Sequence, residues 1–213
     1  MKTDDLVTML ATGSGAAVPD ATTRRYAMAI GWGGCGAILL MALLLGVRQD
    51  IGQVALQPIF WLKLGYVVCF AAASLFALSR LSRPGVSLAA VAPALAAPLF
   101  LIWTVAVIAL TGVSPTERES LLFGKTWTSC PFLIAMLSVP VFVAVTWAMK
   151  GLAPTRLSLA GGAAGLASGA VGALVYTLHC REMGAPFLAT WYVLGALIPA
   201  AIGALLGPRV LRW

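Results

Sequence analysis

The stretch Leu157–Leu178, LSLAGGAAGLASGAVGALVYTL, contains no charged side chain. An α-helix crosses the hydrocarbon layer of a bilayer with about 20 apolar residues, so this run is long enough to span. Its glycines are spaced for packing. Gly161, Gly165 and Gly169 recur every four residues and stack on one helical face, and Gly172 extends that face by three. Between helices in lipid, small residues that let backbones approach carry the association. A neighbouring helix is therefore expected in the groove. The pattern specifies a contact but not its source; an internal partner is favoured, and a homo-oligomer stays open.

Working outward, five further runs have the same character: Ala27 to Val47, Ile59 to Ser79, Leu88 to Gly112, Pro131 to Met149 and Phe187 to Leu206. Hydrophobic residues make up 61% of the 213 positions and charged ones 10%. A soluble domain is about half apolar and about a quarter charged, so the excess is predicted to face lipid. The expected fold is all-α, a polytopic bundle of six transmembrane helices over residues 27–213, preceded by a cytoplasmic segment 1–26. Barrel strands would alternate apolar and polar residues, and these runs do not. The first run begins too far from Met1 and is too long for an ordinary cleaved signal sequence.

The net charge of +7 is distributed between the runs rather than gathered on one face, which argues against direct nucleic-acid binding and makes it a topology signal. One side carries Lys2, Arg24, Arg25, Arg80, Arg83, Lys150, Arg156, Arg209 and Arg212; the other carries Arg48, Arg118, Lys125 and Arg181, with Lys63 expected to snorkel outward from the start of the second span. Basic side chains resist translocation, so both termini are predicted to be cytoplasmic. The loops around Asp50, Glu117 to Lys125 and His179 to Gly184 then lie outside. Trp127, Trp147, Tyr26 and Trp213 are placed for an interfacial aromatic belt.

Ionisable residues deep in a span mark ion pathways, and no Asp or Glu falls within the six cores. An ion-coupled pump is disfavoured. His179 is the single histidine, so a bis-histidine haem cannot be built, and no phosphate loop, HExxH or hydrolase triad is present. No cofactor is expected and the chain is not read as an enzyme. Prolines 93, 98, 140 and 199 fall within spans, where they are common without marking a gate.

Four cysteines divide into two classes. Cys35 and Cys69 lie inside spans and are expected to act as small buried apolar residues. Cys130 and Cys180 lie at the outer ends of the fourth and fifth spans, on one side by the charge count. If that side is an oxidising periplasm, they form either a permanent staple or a thiol pair that responds to oxidants or soft metals, with His179 as a further ligand candidate. Residue chemistry leaves both readings open. No metal site is assigned with certainty.

At the amino terminus, Thr3 to Ala11 reads as a short helix with Asp4 and Asp5 at its positive end. Leu6, Met9 and Leu10 fall at i, i+3 and i+4 and form an apolar stripe, and Gly13 to Asp20 should end the helix. Alone in water it would be marginal, so it is expected to dock. An acidic amphipathic helix suits a protein partner better than anionic lipid.

The chain resembles the NrsF-type membrane anti-sigma factors, negative regulators of sigma F-like extracytoplasmic-function sigma factors in proteobacteria. The likeness runs through Met1 to Leu6, Arg24-Arg25-Tyr26, Phe60-Trp61-Leu62-Lys63, Thr126-Trp127 to Cys130-Pro131, and Gly151 to Arg156. It continues at Leu178-His179-Cys180, Ala185-Pro186-Phe187, Trp191-Tyr192 and Leu206 to Arg209. The resemblance implies an inner-membrane protein that holds an extracytoplasmic-function sigma factor inactive at the cytoplasmic face and releases it on external stress. It implies that Cys130 and Cys180 are the sensor thiols. The chain lacks the HxxxCxxC zinc signature and the larger cytoplasmic helical domain of many other anti-sigma factors, so by elimination the sigma-binding surface is expected to involve Asp4, Asp5, Leu6, Met9 and Leu10, with the short basic cytoplasmic loops open as further contributors. The rival readings are a membrane thiol oxidoreductase, which would be expected to have a closely spaced redox pair, and a small transporter, which lacks the charges.

Overall fold

A computed structural model describes residues 3–13, 21–83, 85–152 and 154–212. Of the break expected over Gly13 to Asp20, Gly13 is the last residue of α1, and 14–20, as well as Lys2 and Trp213, lie outside the described residues. In chain order the helices are α1 (Thr3–Gly13), α2 (Ala21–Leu44), α3 (Ile51–Val54), α4 (Pro58–Leu81), α5 (Val91–Thr111), α6 (Pro115–Phe123), α7 (Cys130–Lys150), α8 (Leu157–Tyr176) and α9 (Ala185–Val210). Among the described residues there is no strand. Six helices, α2, α4, α5, α7, α8 and α9, are long and apolar enough to cross a membrane.

Proline sets several starts. Pro58, Pro115, Pro131 and Pro186 each stand in a first turn, where the missing N–H has no helical acceptor to lose and the fixed φ suits the helix. α6 was not anticipated. Its N-terminus is a capping box in which Ser114 N and Oγ donate to Glu117 Oε2 at 3.1 and 2.9 Å, and these bonds hold the Glu117 carboxyl below its ordinary pKa. Gly46, with φ +74°, ends α2 by sending its N–H back to Met41 O at 2.9 Å.

The bundle is built around α8, against which α9, α7, α4 and α2 pack, while α5 lies outside against α4 and the start of α9. The glycines of α8 explain this position. A Cβ at Gly161 would strike Gly203 O, one at Gly165 would strike Pro199 O, and one at Gly169 would lie 2.7 Å from Ala196 Cα. α9 therefore occupies this groove with backbone against backbone, and Gly203 and Gly207 reciprocate from its side. Gly172 does not extend the same contact. It faces α7, where a Cβ would meet Ile134 O at 2.8 Å.

Three sequence expectations are corrected. Cys35 and Cys69 are exposed on the lipid-facing surfaces of α2 and α4 rather than buried, because neither falls on its helix's inward face. Lys63 does not snorkel. It is 2% exposed, on the face that also buries Phe60, Val67, Phe70 and Ser74, and that helical phase turns its side chain into the bundle.

Candidate functional site

The three loops expected outside meet at one end of the bundle. Arg48 N donates to Leu178 O at 3.2 Å, and Lys125 N donates to the Glu182 carboxylate at 2.8 Å. At the other end a Cβ on Gly151 would collide with the Arg25 guanidinium, so the start of α2 and the chain after α7 also touch.

Cys130 is the first residue of α7 and Cys180 follows the end of α8. Cys130 N closes a turn on Thr126 O and Cys180 N one on Tyr176 O, both at 2.9 Å. These turns carry the two thiols inward: each is a free thiol, and both are buried. They lie within electrostatic reach of each other, of Lys63 and of Tyr176 and Tyr192. The two tyrosine rings are buried with centroids 5.8 Å apart. Tyr192 ends a π-helical stretch, Leu188–Tyr192, at the start of α9. Such wide turns recur at functional sites.

The charges come from α4 and from the loop after α2. Lys63 Nζ donates to Cys180 O at 3.2 Å and to Glu182 O at 2.8 Å, and lies 5.1 Å from the centroid of the Tyr192 ring. A buried ammonium is costly unless such partners replace water. Arg48 reaches the same carbonyl, its Nη1 donating to Cys180 O at 3.2 Å, and its Nε and Nη2 fork onto both Asp50 carboxylate oxygens at 2.8 Å. The guanidinium in turn holds the Asp50 carboxyl at about 2, below its ordinary 3.8. Two cations thus converge on the main chain of one sensor candidate. Aromatic rings cover the cluster from outside: Phe123, Trp127 and Trp191 pack together, and Trp191 Nε1 donates to Leu122 O at 2.8 Å.

His179 Nδ1 pairs with Gly46 O at 2.9 Å, and its ring faces Tyr176. Among the described residues no three His, Cys, Asp or Glu side chains are grouped to hold a metal. The amino-terminal candidates stand elsewhere. α1 is helical, with Asp4 and Asp5 in its first turn and Leu6, Met9 and Leu10 exposed on one side. Lys63, Arg48, Tyr176, Tyr192 and Glu182 were given no site role from sequence; the one signal was a lysine four residues before Val67 on a mostly apolar helical face.

The profile of a family described as negative regulator of sigma F, NrsF, matches residues 10–213. The chain belongs to the NrsF family. Two relatives cover it from end to end: a protein of Azospira oryzae named probable anti-sigma-F factor NrsF, 59% identical with both chains fully covered, and the anti-sigma-F factor NrsF of Caulobacter vibrioides, 42% identical with both again fully covered. No solved structure matches. The NrsF profile begins at Leu10, so most of α1 precedes the matched region, whereas the thiol cluster and its Lys63 and Arg48 clamp lie wholly inside it.

Proposed function

We propose that this chain is a membrane-bound anti-sigma factor that holds an extracytoplasmic-function sigma factor at the cytoplasmic face of the bacterial inner membrane and releases it when Cys130 and Cys180 are modified from the periplasm. Both termini lie in the cytoplasm on this reading, and α1 supplies part of the sigma-binding surface through Asp4, Asp5, Leu6, Met9 and Leu10. Family membership and the names of the relatives support the regulatory role. The sensor assignment is supported by one observation: two buried thiols lie within electrostatic reach of each other, and the main chain of one of them is gripped by Lys63, a residue of the helix that continues to the opposite end of the bundle.

The chemistry follows from that pairing. A soft divalent cation displaces one proton from each thiol and binds the two thiolates, an exchange that leaves the local charge unchanged and draws the two sulfurs together beside Lys63 and Arg48. A two-electron oxidant joins the sulfurs as a disulfide, taking two electrons and releasing two protons, which demands a Cα separation of about 4.4–6.8 Å. Either event acts on the segment that Lys63 and Arg48 hold. α4 carries any resulting shift toward Arg80 at its far end. A stimulus can move such an equilibrium only through different affinities for the two packings.

The deciding test is a Cys130→Ser, Cys180→Ser double variant in cells carrying a sigma-dependent reporter. Repression is expected to persist while induction by oxidant or soft metal is lost. Induction at the wild-type level would sink the sensor assignment. Failure of residues 1–26, used as bait, to recover a sigma factor that the full chain does recover would remove α1 from the binding surface.

A further inference from the structure

At the end of the bundle opposite the thiols, a cavity of about 520 Å³ lies between the last turn of α4, the loop that follows it and the residues that lead into α8. Its walls carry Arg80, Arg83 and Arg156 beside Ser87 and Thr155, and among the described residues no acidic one lines it. Arg80 is steadied by Phe76, whose ring centroid lies 5.0 Å from the guanidinium carbon. Three like charges around one space favour an anion, because each otherwise repels the others at short range.

Depth identifies the kind of anion. α4 ends at Leu81, α5 begins at Val91 and α8 begins at Leu157, so the cavity lies at the ends of three candidate spans, where apolar runs give way to basic residues as they do at a headgroup layer. Leu81, Val86 and Leu88 give it an apolar wall next to the guanidiniums. That pairing suits an amphiphile. A free phosphate or a carboxylate on a soluble segment would make no use of the apolar side. Basic pockets between transmembrane helix ends characteristically take anionic lipid headgroups.

We propose that this cavity is a binding site for the phosphate headgroup of an anionic phospholipid. The arginines bind the phosphate oxygens, and the leucines and valine receive the glycerol end of the acyl chains. This does not depend on the sigma-factor reading.

The experiment uses the full chain in detergent, mixed with dioleoylphosphatidylglycerol or dioleoylphosphatidylcholine, with retained lipid counted by native mass spectrometry. Phosphatidylglycerol should be retained in preference to phosphatidylcholine, and an R80Q/R83Q/R156Q variant should lose on the order of a hundredfold in that affinity. If the triple variant does not fold, Arg156→Gln alone, at an exposed side chain, should lose about fivefold. Equal retention of the two lipids, or unchanged retention by the variants, would overturn the site. Displacement of the lipid by inorganic phosphate or by a polyglutamate peptide would also overturn it, pointing instead to a soluble anion or an acidic protein segment.

Discussion

α8 makes two kinds of contact, and they obey different rules. Along its length it meets α9 backbone to backbone, at Gly161 with Gly203, Gly165 with Pro199 and Gly169 with Ala196. Beyond its outer end, the chain from Leu178 to Glu182 is held instead by hydrogen bonds from Arg48 and Lys63. The seam depends on shape alone. No titratable or oxidisable group takes part in these three contacts, so a chemical stimulus has nothing there to act on. The clamp depends on charge, and it holds the main chain of Cys180 itself. On the proposed function, a change at sulfur would therefore reach the clamp while the seam stayed fixed.

The largest expected effect would break the seam. Gly165→Val places a methyl group where Pro199 O now lies, and close-packed backbones cannot yield as a flexible side chain can. A loss of about 3 kcal/mol or more is expected, seen as aggregation or early unfolding in detergent on a temperature ramp. Gly162→Ala is the contrast. Its Cβ would meet Ala204 Cβ at 3.4 Å, an ordinary contact, and replacing a helical glycine by alanine gains up to about 1 kcal/mol. Similar losses for the two variants would show that the seam is not the specific post described.

Lys63→Met tests the clamp while keeping side-chain length. Glu182 O loses its donor from Lys63 and Cys180 O retains only Arg48. An orphaned buried carbonyl costs about 1–3 kcal/mol, which should open the Leu178–Glu182 segment and speed alkylation of Cys180 by about tenfold or more. Lys63→Arg should restore most of the protection. Unchanged alkylation in the methionine variant would mean that the segment is held by its own turns alone.

The seam and the clamp were unequally legible in the sequence. Six spans could be read because each is an apolar run bounded by charges, which is the property that lipid selects. Their ends were displaced because helices continue past the hydrocarbon. α2 starts at Ala21 and carries Arg24 and Arg25 in its first turns, and α9 runs on through Pro208 and Arg209. The spacing of Gly161, Gly165 and Gly169 identifies a groove, but only the fold says that α9 fills it and that Gly172 turns to α7. Lys63 was misplaced for a related reason. Its depth near the start of a span suits snorkelling, and its direction depends on which face of α4 points inward, a matter settled by the burial of Phe60, Val67 and Phe70 on that face. The partners of Cys180 come from residues more than a hundred positions away, beyond the reach of any local pattern.

The smallest effect concerns Asp50, which acts on the clamp at one remove. Its carboxylate orients Arg48 through two bonds, and those bonds lower its pKa to about 2 from an ordinary 3.8. A carboxyl whose folded pKa is depressed contributes stability that is fully present above the ordinary value and is lost as pH falls through the folded one. Protection of the Leu178–Glu182 amides in hydrogen exchange should therefore be level above about pH 5 and decline as pH approaches 2. Asp50→Asn should flatten this decline and, at neutral pH, raise exchange by less than about fivefold, because the carboxylate is solvent-exposed and its pairing is screened. Lys63 continues to hold Cys180 O in that variant. A larger loss from Asp50→Asn than from Lys63→Met would reverse the assigned order, making the Arg48 arm the principal restraint on the thiol segment and Lys63 the auxiliary one.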